Sequence, residues 1–423
     1  MTTTAAPGVT VRRVPELDGL RGIAIALVLV YHLWPGVLPG GNIGVDLFFV
    51  LSGFLVTSWF TGRFAATGRP SITAFWVRRG RRLVPALLCV LLVGTALALP
   101  TGEPLPARLG PQLLAALTWT GNWYLVAGDT GYFASFDPLW WQHLWSLGIE
   151  AQFYLVWPLI LLGLWRVTAG RPIGARLRAC SVAAAVLAAA SAAGLVVGTV
   201  AGADFSRLYL GTGTHLFGLL AGAAVALWPR RPGAGTSPGR PGAGYPAAAV
   251  LLTGLVVVAV SARDDDPLAQ AAGLPVAALL GAAVIATVIR SPAGTAPGIL
   301  RCGALRRLGI RSYGVYLWHW PLLLTARRLV PEPGPVPAAL LGLGVLVLTL
   351  AAAELSWRHV ENPVLRDGWT GAFRAARTAG RDLLSRPLPL FAVLTGTILL
   401  AGAAVAAVLL SPGLSPLEHR LGR

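Results

Sequence analysis

An arginine and a histidine stand 11 positions apart, Arg21 and His32, in the apolar stretch LDGLRGIAIALVLVYHL. On a helix, 11 residues turn about 1100°, three turns and about 20°, and rise about 16 Å, so the two share one face at different depths. An imidazole changes charge near neutrality and can serve as a general base, while a guanidinium is a permanent cation whose fork fits phosphate. Taken alone, each has an ordinary explanation: a helix-end arginine snorkels, and a histidine hydrogen-bonds within a bundle. Asp18 adds a carboxylate to the same lead.

Other polar residues in apolar stretches extend the pattern. The run GGNIGVDLFFVLSGFL at 40–55 holds Asp46 and Ser52. A carboxylate in an apolar helix is costly and by default functional, though Asp46 is equally explained as a structural partner for a polar group of the first stretch. Glycines at 40, 41, 44 and 53 predict close packing on a neighbouring helix. In FWVRRGRRLVP at 75–85, Arg79 and Arg82 are three apart, a spacing that makes a phosphate-binding fork on a helix; a cluster that merely orients the chain in a membrane is the alternative. In the segment 142–165, His143, Ser146, Glu150, Tyr154 and Trp157 recur at i, i+3, i+7, i+11 and i+14, and so line one stripe. A carboxylate meeting an imidazole in a partly dry site is a general-base arrangement. SYGVYLWHWP at 312–321 adds Tyr316 and His319, for which interhelical hydrogen bonding and packing are the plainer account. His215 and His359 fall in no pattern. Cys89, Cys180 and Cys302 match no metal or redox spacing and read as small apolar fillers, so no metal site is expected.

The elements that hold these residues follow from composition. The chain has 423 residues, 55% hydrophobic and 12% charged, with a mean hydropathy of +0.68. Soluble domains carry roughly a quarter charged residues, so a soluble globular protein is excluded. All 34 basic residues are arginine, against 17 acidic ones. The arginines lie between apolar runs and not on one soluble face, which argues against nucleic-acid binding and for loops on the positive side of a membrane.

A bilayer core needs about 20 apolar helical residues. That criterion places about eleven spans, near 19–34, 42–60, 83–99, 142–165, 179–200, 207–228, 245–261, 270–290, 312–328, 336–357 and 388–410. The first has no small-residue cleavage site behind it and reads as an uncleaved anchor. The segment 111–126 is apolar but carries Thr118, Thr120, Gly121 and Asn122. If it does not span, 26 arginines fall on the side of the N-terminus and seven on the other; if it does, the tally is 14 against 19, against the positive-inside rule. It is therefore expected to be a re-entrant or interfacial segment that roofs a cavity.

Residues 230–245 read as a Pro/Gly-rich linker, Arg263 to Asp266 as a solvated loop, and 366–387 as an Arg-rich interfacial segment. The expected fold is an all-α polytopic membrane protein: a bundle of about ten transmembrane helices plus one extra C-terminal helix. Its parts are a cytoplasmic N-terminus (1–18), a membrane domain (19–365), a cytoplasmic linker (366–387), an extra span (388–410) and a short exoplasmic tail (411–423). The chain is placed in the cell membrane with a cytoplasmic N-terminus and an exoplasmic C-terminus.

Taken in order, these residues resemble the membrane-bound acyltransferase-3 family, multi-span enzymes that O-acylate glycans and some macrolides. The resemblance covers about residues 14–365. It rests on DGLRG with Arg21 and His32, GVDLFFVLSGF, the Arg79/Arg82 pair, TGNWY at 120–124 with Asn122, WSLGIE at 145–150 with Trp145, Tyr154 beyond it, SYGVYLWH, and ENP at 361–363. It implies that His32 is the catalytic base, that Arg21, Arg79 and Arg82 serve acyl-CoA from the cytoplasm, and that Glu150 belongs to the active site. The co-substrate is then acyl-CoA, most simply acetyl-CoA, with no bound cofactor, and the acceptor is a glycan or polyketide hydroxyl. A protein hydroxyl, Ser52 or Ser146, acylated first is the variant mechanism. Members often continue into an exported SGNH-hydrolase-like domain; only SPGLSPLEHRLGR follows the last span. Hence either the membrane domain completes the transfer, or a separate exported partner does, or the chain is a piece of a longer protein. The rival class is a transporter or flippase for a lipid-linked glycan.

Overall fold

A computed structural model describes residues 14–67, 70–102, 104–128, 133, 138–229, 244–290, 298–331, 334–371, 374 and 387–414. Among them the chain is 83% helical with no strand, an all-α polytopic membrane protein. The helices are α1 (Pro15–Leu33), α2 (Ile43–Thr67), α3 (Ile72–Ala96), α4 (Leu109–Leu117), α5 (Gly121–Ala127), α6 (Trp145–Val167), α7 (Ile173–Val200), α8 (Phe205–Leu210), α9 (Thr212–His215), α10 (Phe217–Leu227), α11 (Gly244–Ser261), α12 (Pro267–Arg290), α13 (Gly298–Arg301), α14 (Gly303–Ile310), α15 (Ser312–Leu329), α16 (Pro335–Ser356) and α17 (Pro387–Leu409). Among the described residues six stretches are long and apolar enough to cross a membrane: Ile43–Phe64, Ile72–Thr101, Gln142–Val167, Ile173–Val200, Pro267–Arg290 and Pro335–Gly371. The last of these passes through a π-helical turn at Trp357–Glu361.

A single helix lies at every expected span except 207–228, where the chain makes α8, α9 and α10. Two features break it. Gly211 leaves the helix at ψ 125°, and side chains take over carbonyls that a continuous helix would use: Thr214 Oγ1 donates to Leu208 O, and His215 Nδ1 donates to Tyr209 O at 2.5 Å. The segment 111–126 is likewise two short helices, α4 and α5. At 1.5 Å per residue they are about 14 and 11 Å long, well short of a hydrocarbon core of about 30 Å. Trp119 joins them at φ 59°, a left-handed conformation that a bulky side chain rarely adopts.

The chain divides into two compact units. The first comprises residues 1–28, 38–73 and 149–310, and the second 29–37, 74–148 and 311–423.

In the first unit, α10 packs backbone to backbone on α2, as the glycines of α2 predict. A Cβ at Gly53 would sit 1.8 Å from Leu219 O, and one at Gly222 would sit 1.9 Å from Val50 O. Gly44 likewise faces Ala24 O at 2.3 Å, and Gly40 faces Ala262 O at 2.4 Å. Helices lacking a hydrophobic drive toward each other in lipid associate through such close contacts. Gly53→Ala is accordingly expected to cost about 1–3 kcal/mol as an overpacking change, read as a lower midpoint of thermal unfolding in detergent.

The loop of Arg263 to Asp266 is solvated as expected and binds its own groups. Arg263 pairs with Asp265 at 2.6 Å, each about 60% exposed, and these hydrogen bonds hold the Asp265 carboxyl below the usual range. Asp266 Oδ1 caps α12 by accepting from Leu268 N and Ala269 N, both at 3.0 Å.

In the second unit, α15 packs on α16, and Trp140 Nε1 donates to Gly94 O of α3 at 2.8 Å. The residues after α17 dock on the segment ahead of α4: Arg108 N donates to Pro412 O at 2.9 Å and Ser411 Oγ to Pro106 O at 2.7 Å. Cys89 is half-buried and Cys180 buried, but Cys302 is exposed, so the filler reading is corrected for that residue. Most of the linker 230–245 and of the Arg-rich segment 366–387, residues 1–13 and residues 415–423 lie outside the described residues.

Candidate functional site

In the first unit, the LDGLRG lead forms the opening turns of α1, and its glycines decide how that helix rests. A Cβ at Gly19 would lie 2.0 Å from Leu300 O, one at Gly22 2.2 Å from Leu305 O, and one at Gly309 1.8 Å from Asp18 O. Backbone thus lies on backbone, and half-buried Arg21 donates from Nε to Gly309 O at 3.0 Å.

The carboxylates of this unit are held by named donors. Ser52 Oγ donates to Glu150 Oε1 at 2.6 Å, and Tyr154 OH donates to Glu150 Oε2 at 3.1 Å. The second bond follows from the i, i+4 spacing on α6, which the stripe anticipated. Trp157, further along the stripe, donates to Thr57 Oγ1 at 2.8 Å. Asp46 is fully buried, and its Oδ1 lies 3.1 Å from Nε2 of equally buried His215. Its partner is therefore not on the first span but on the broken one, and His215, which fell in no pattern, is the residue that sequence reasoning missed. The signal was there in GTGTH at 211–215, where two glycines and two threonines interrupt an apolar run.

The second unit brings three imidazoles together around the end of α1: His32, His143 and His319. The His32 ring centre is 5.1 Å from that of His319 and 5.0 Å from Trp320, which meets it edge-on. His143 is 5.6 Å from His319 and 5.6 Å from Tyr316. It lies in the single turn Gln142–Leu144 that precedes α6, so within the helix the stripe begins at Ser146. Tyr316 OH donates to His143 O at 2.5 Å and is 2.8 Å from Ser146 Oγ, which then donates to it. His319 Nδ1 donates to Tyr316 O at 2.5 Å. Neither nitrogen of buried His143 has a hydrogen-bond partner, nor does His319 Nε2.

Close by in sequence, Asn122 and Trp145 are buried in this unit. Gly148 accommodates the α4–α5 turn, since a Cβ there would lie 2.8 Å from Asn122 Oδ1 and 3.0 Å from Trp119 O. Gln112 and Tyr124 of this segment line a small cleft with Trp141 and Gln142.

The arginine cluster lies inside α3, which begins 11 residues before the expected span, so Arg79 and Arg82 share a helical surface. Arg78 and Arg81 are exposed, whereas Arg79 and Arg82 are half-buried. Arg79 lies over the Phe75 ring at 5.9 Å. Among the described residues no cluster of His, Cys, Asp and Glu is arranged to hold a metal ion.

Set beside known proteins, the chain matches the family profile described as an acyltransferase domain over residues 14–355. It is 33% identical over 367 residues to a peptidoglycan O-acetyltransferase of Listeria monocytogenes, covering 85% of this chain and 57% of that protein. It is 35% identical over 364 residues to a Bacillus subtilis protein provisionally named a peptidoglycan O-acetyltransferase, covering 85% and 56%. A Staphylococcus aureus protein provisionally named an O-acetyltransferase is 33% identical over 365 residues, covering 84% and 58%. The chain thus spans a little over half the length of these relatives. No solved structure matches it.

Proposed function

The chain belongs to the membrane-bound acyltransferase-3 family, and we propose that it is an O-acyltransferase that moves an acetyl group from cytoplasmic acetyl-CoA to a hydroxyl of a cell-envelope carbohydrate. The observation that carries this reading is the family match, which takes in His32, Glu150 and the three arginines of interest. The names of the relatives point first to a peptidoglycan-type acceptor; a macrolide hydroxyl is the competing one.

In the reaction we assign, the N-terminus faces the cytoplasm, the phosphates of the donor meet Arg79 and Arg82, and Arg21 also serves the donor. An unprotonated nitrogen of His32 takes the proton of the acceptor hydroxyl. The oxygen attacks the thioester carbonyl, the carbon–sulfur bond breaks, and the leaving thiolate takes the proton back from the imidazolium. No net proton is gained or lost. Glu150 is assigned to the same reaction, its geometry fixed by Ser52 and Tyr154.

The test is acetyl transfer by purified protein from radiolabelled acetyl-CoA to glycan strands and, in parallel, to a macrolide. Label in either acceptor and free CoA in equal amount is the expected result. Glycan movement without thioester consumption is the flippase outcome and overturns the reading.

The arginine assignment makes its own prediction. A hydrogen bond to a charged group is worth about 1.5–3 kcal/mol, so Arg79→Ala and Arg82→Ala are each expected to raise KM for acetyl-CoA roughly 10- to 100-fold. The thermal stabilisation that CoA confers should shrink in step. An unchanged CoA-induced shift in both variants leaves the pair with a purely topogenic role.

A further inference from the structure

Buried imidazoles need hydrogen-bond partners, and one in the second unit has its tautomer fixed. His319 is completely buried on α15, and its Nδ1 lies 2.5 Å from the Tyr316 carbonyl. A carbonyl only accepts, so Nδ1 carries the proton of the neutral ring. Nε2 is then a lone-pair acceptor, and it is buried without a partner. A buried acceptor left unsatisfied costs about 1–3 kcal/mol, so this nitrogen is poised for a donor within reach.

The ring beside it is that of His32. An N–H···N bond of about 2.9 Å between two imidazoles, with each nitrogen about 1.1 Å from its ring centre, brings the centres to about 5.1 Å. The His32 and His319 centres are 5.1 Å apart, close enough for that bond to form, although His319 Nε2 does not make it with the His32 ring as it stands. The His143 ring is farther from His319, at 5.6 Å. Trp320 closes on His32 edge-first at 5.0 Å and Tyr31 at 4.9 Å, so the ring has restricted room to turn away. Arg327, on the same helix as His319, donates to the His32 carbonyl at 3.1 Å and so ties the two helices together at this level.

We propose that His319 is the positioning residue for His32: held by the Tyr316 carbonyl through Nδ1–H, it accepts the N–H of His32 at Nε2 and leaves the other nitrogen of His32 unprotonated to act as the base. This rests on the reading of His32 as base. His319 gains and loses no proton in the cycle. The proton of the acceptor hydroxyl goes to the free nitrogen of His32 and from there to the sulfur of the departing CoA. A neutral histidine thus does the work that a carboxylate does in a Ser-His-Asp arrangement, with Tyr316 as the outer link.

The experiment is a substitution series assayed with acetyl-CoA and a glycan acceptor. His319→Leu is expected to lower kcat by roughly 10²-fold with KM for acetyl-CoA unchanged, since a base in the wrong tautomer loses its function. His319→Gln puts a carbonyl oxygen near the Nε2 position and should recover activity to within about 10-fold of wild type, whereas His319→Asn reaches only the Nδ1 position and should not. A side chain that merely filled space would not separate Gln from Asn. Independently of activity, nitrogen-15 spectra of histidine-labelled wild-type protein should show a resonance pair for the Nδ1–H tautomer that His319→Gln removes.

If His319→Leu matches wild type while His32→Ala is inactive, the positioning role falls and the base stands. Should His32→Ala stay active, the reading of the base itself fails. Where His319→Leu does not fold, the labelled wild type decides: finding His319 protonated at Nε2 overturns the proposal.

Discussion

Replacing His32 by alanine is expected to lower the turnover of acetyl-CoA by about 10²- to 10⁴-fold, the range that general-base catalysis contributes. The variant should keep its CoA-induced thermal stabilisation, because the groups assigned to the donor phosphates, Arg79 and Arg82, lie on a different helix. The half-buried ring contributes packing against Tyr31 and Trp320, so some loss of stability is expected as well; His32→Asn, closer in size, controls for it. Loss of kcat in both variants with intact CoA binding supports the base. Equal CoA release by wild type and His32→Ala would sink the assignment.

Much of the fold was legible because membrane spans are coded by run length alone. The apolar runs located nearly every long helix, and the arginine count argued against a span at 111–126, where α4 and α5 are each too short to cross. The glycines of α2 announced close packing, since only a missing side chain lets carbonyls such as Leu219 O approach a helix backbone. What run length cannot encode is a break. The segment 207–228 reads as one apolar span by hydropathy, yet Thr214 and His215 satisfy carbonyls from their side chains and the helix stops. For that reason hydropathy points to the first span for the partner of Asp46, which lies on the broken one.

The candidate chemistry was legible residue by residue and less so as groupings. Spacing along α6 found the Tyr154–Glu150 pair, because i, i+4 neighbours meet on any helix. It could not find Ser52 as the donor to Glu150, nor the approach of His319 to His32, because both pairs are far apart in sequence. The arginine cluster shows the intermediate case. Four guanidiniums in one short run look alike in sequence, and only the helix built through them half-buries Arg79 and Arg82 while exposing the other two.

The buried Asp46–His215 pair carries the second large prediction, and its sign depends on which partners are removed. His215 Nδ1–H donates to the Tyr209 carbonyl, so a single proton lies between Nε2 and Asp46 Oδ1, and it belongs to one partner or the other. Either way the two groups satisfy each other at a point with no solvent, and Asp46 Oδ2 has no partner beyond this. Asp46→Leu strands a buried imidazole and His215→Leu strands a buried carboxyl, so each single change is expected to cost about 3–5 kcal/mol. Asp46→Asn, whose amide can donate to Nε2, should cost much less. The double variant Asp46→Leu/His215→Leu removes both polar groups at once and should be more stable than either single leucine variant, since an apolar pair of similar shape leaves nothing unsatisfied. The measurement is a double-mutant cycle on inactivation half-lives in detergent, with transferase activity of the surviving fraction as a second readout. Because the pair anchors the broken helix to α2, its loss should loosen α8 to α10 first, seen as faster hydrogen exchange there than in α7 or α12. Additive losses in the cycle would mean that Asp46 and His215 are stabilised by separate surroundings and that the break is held by Gly211 and Thr214 alone.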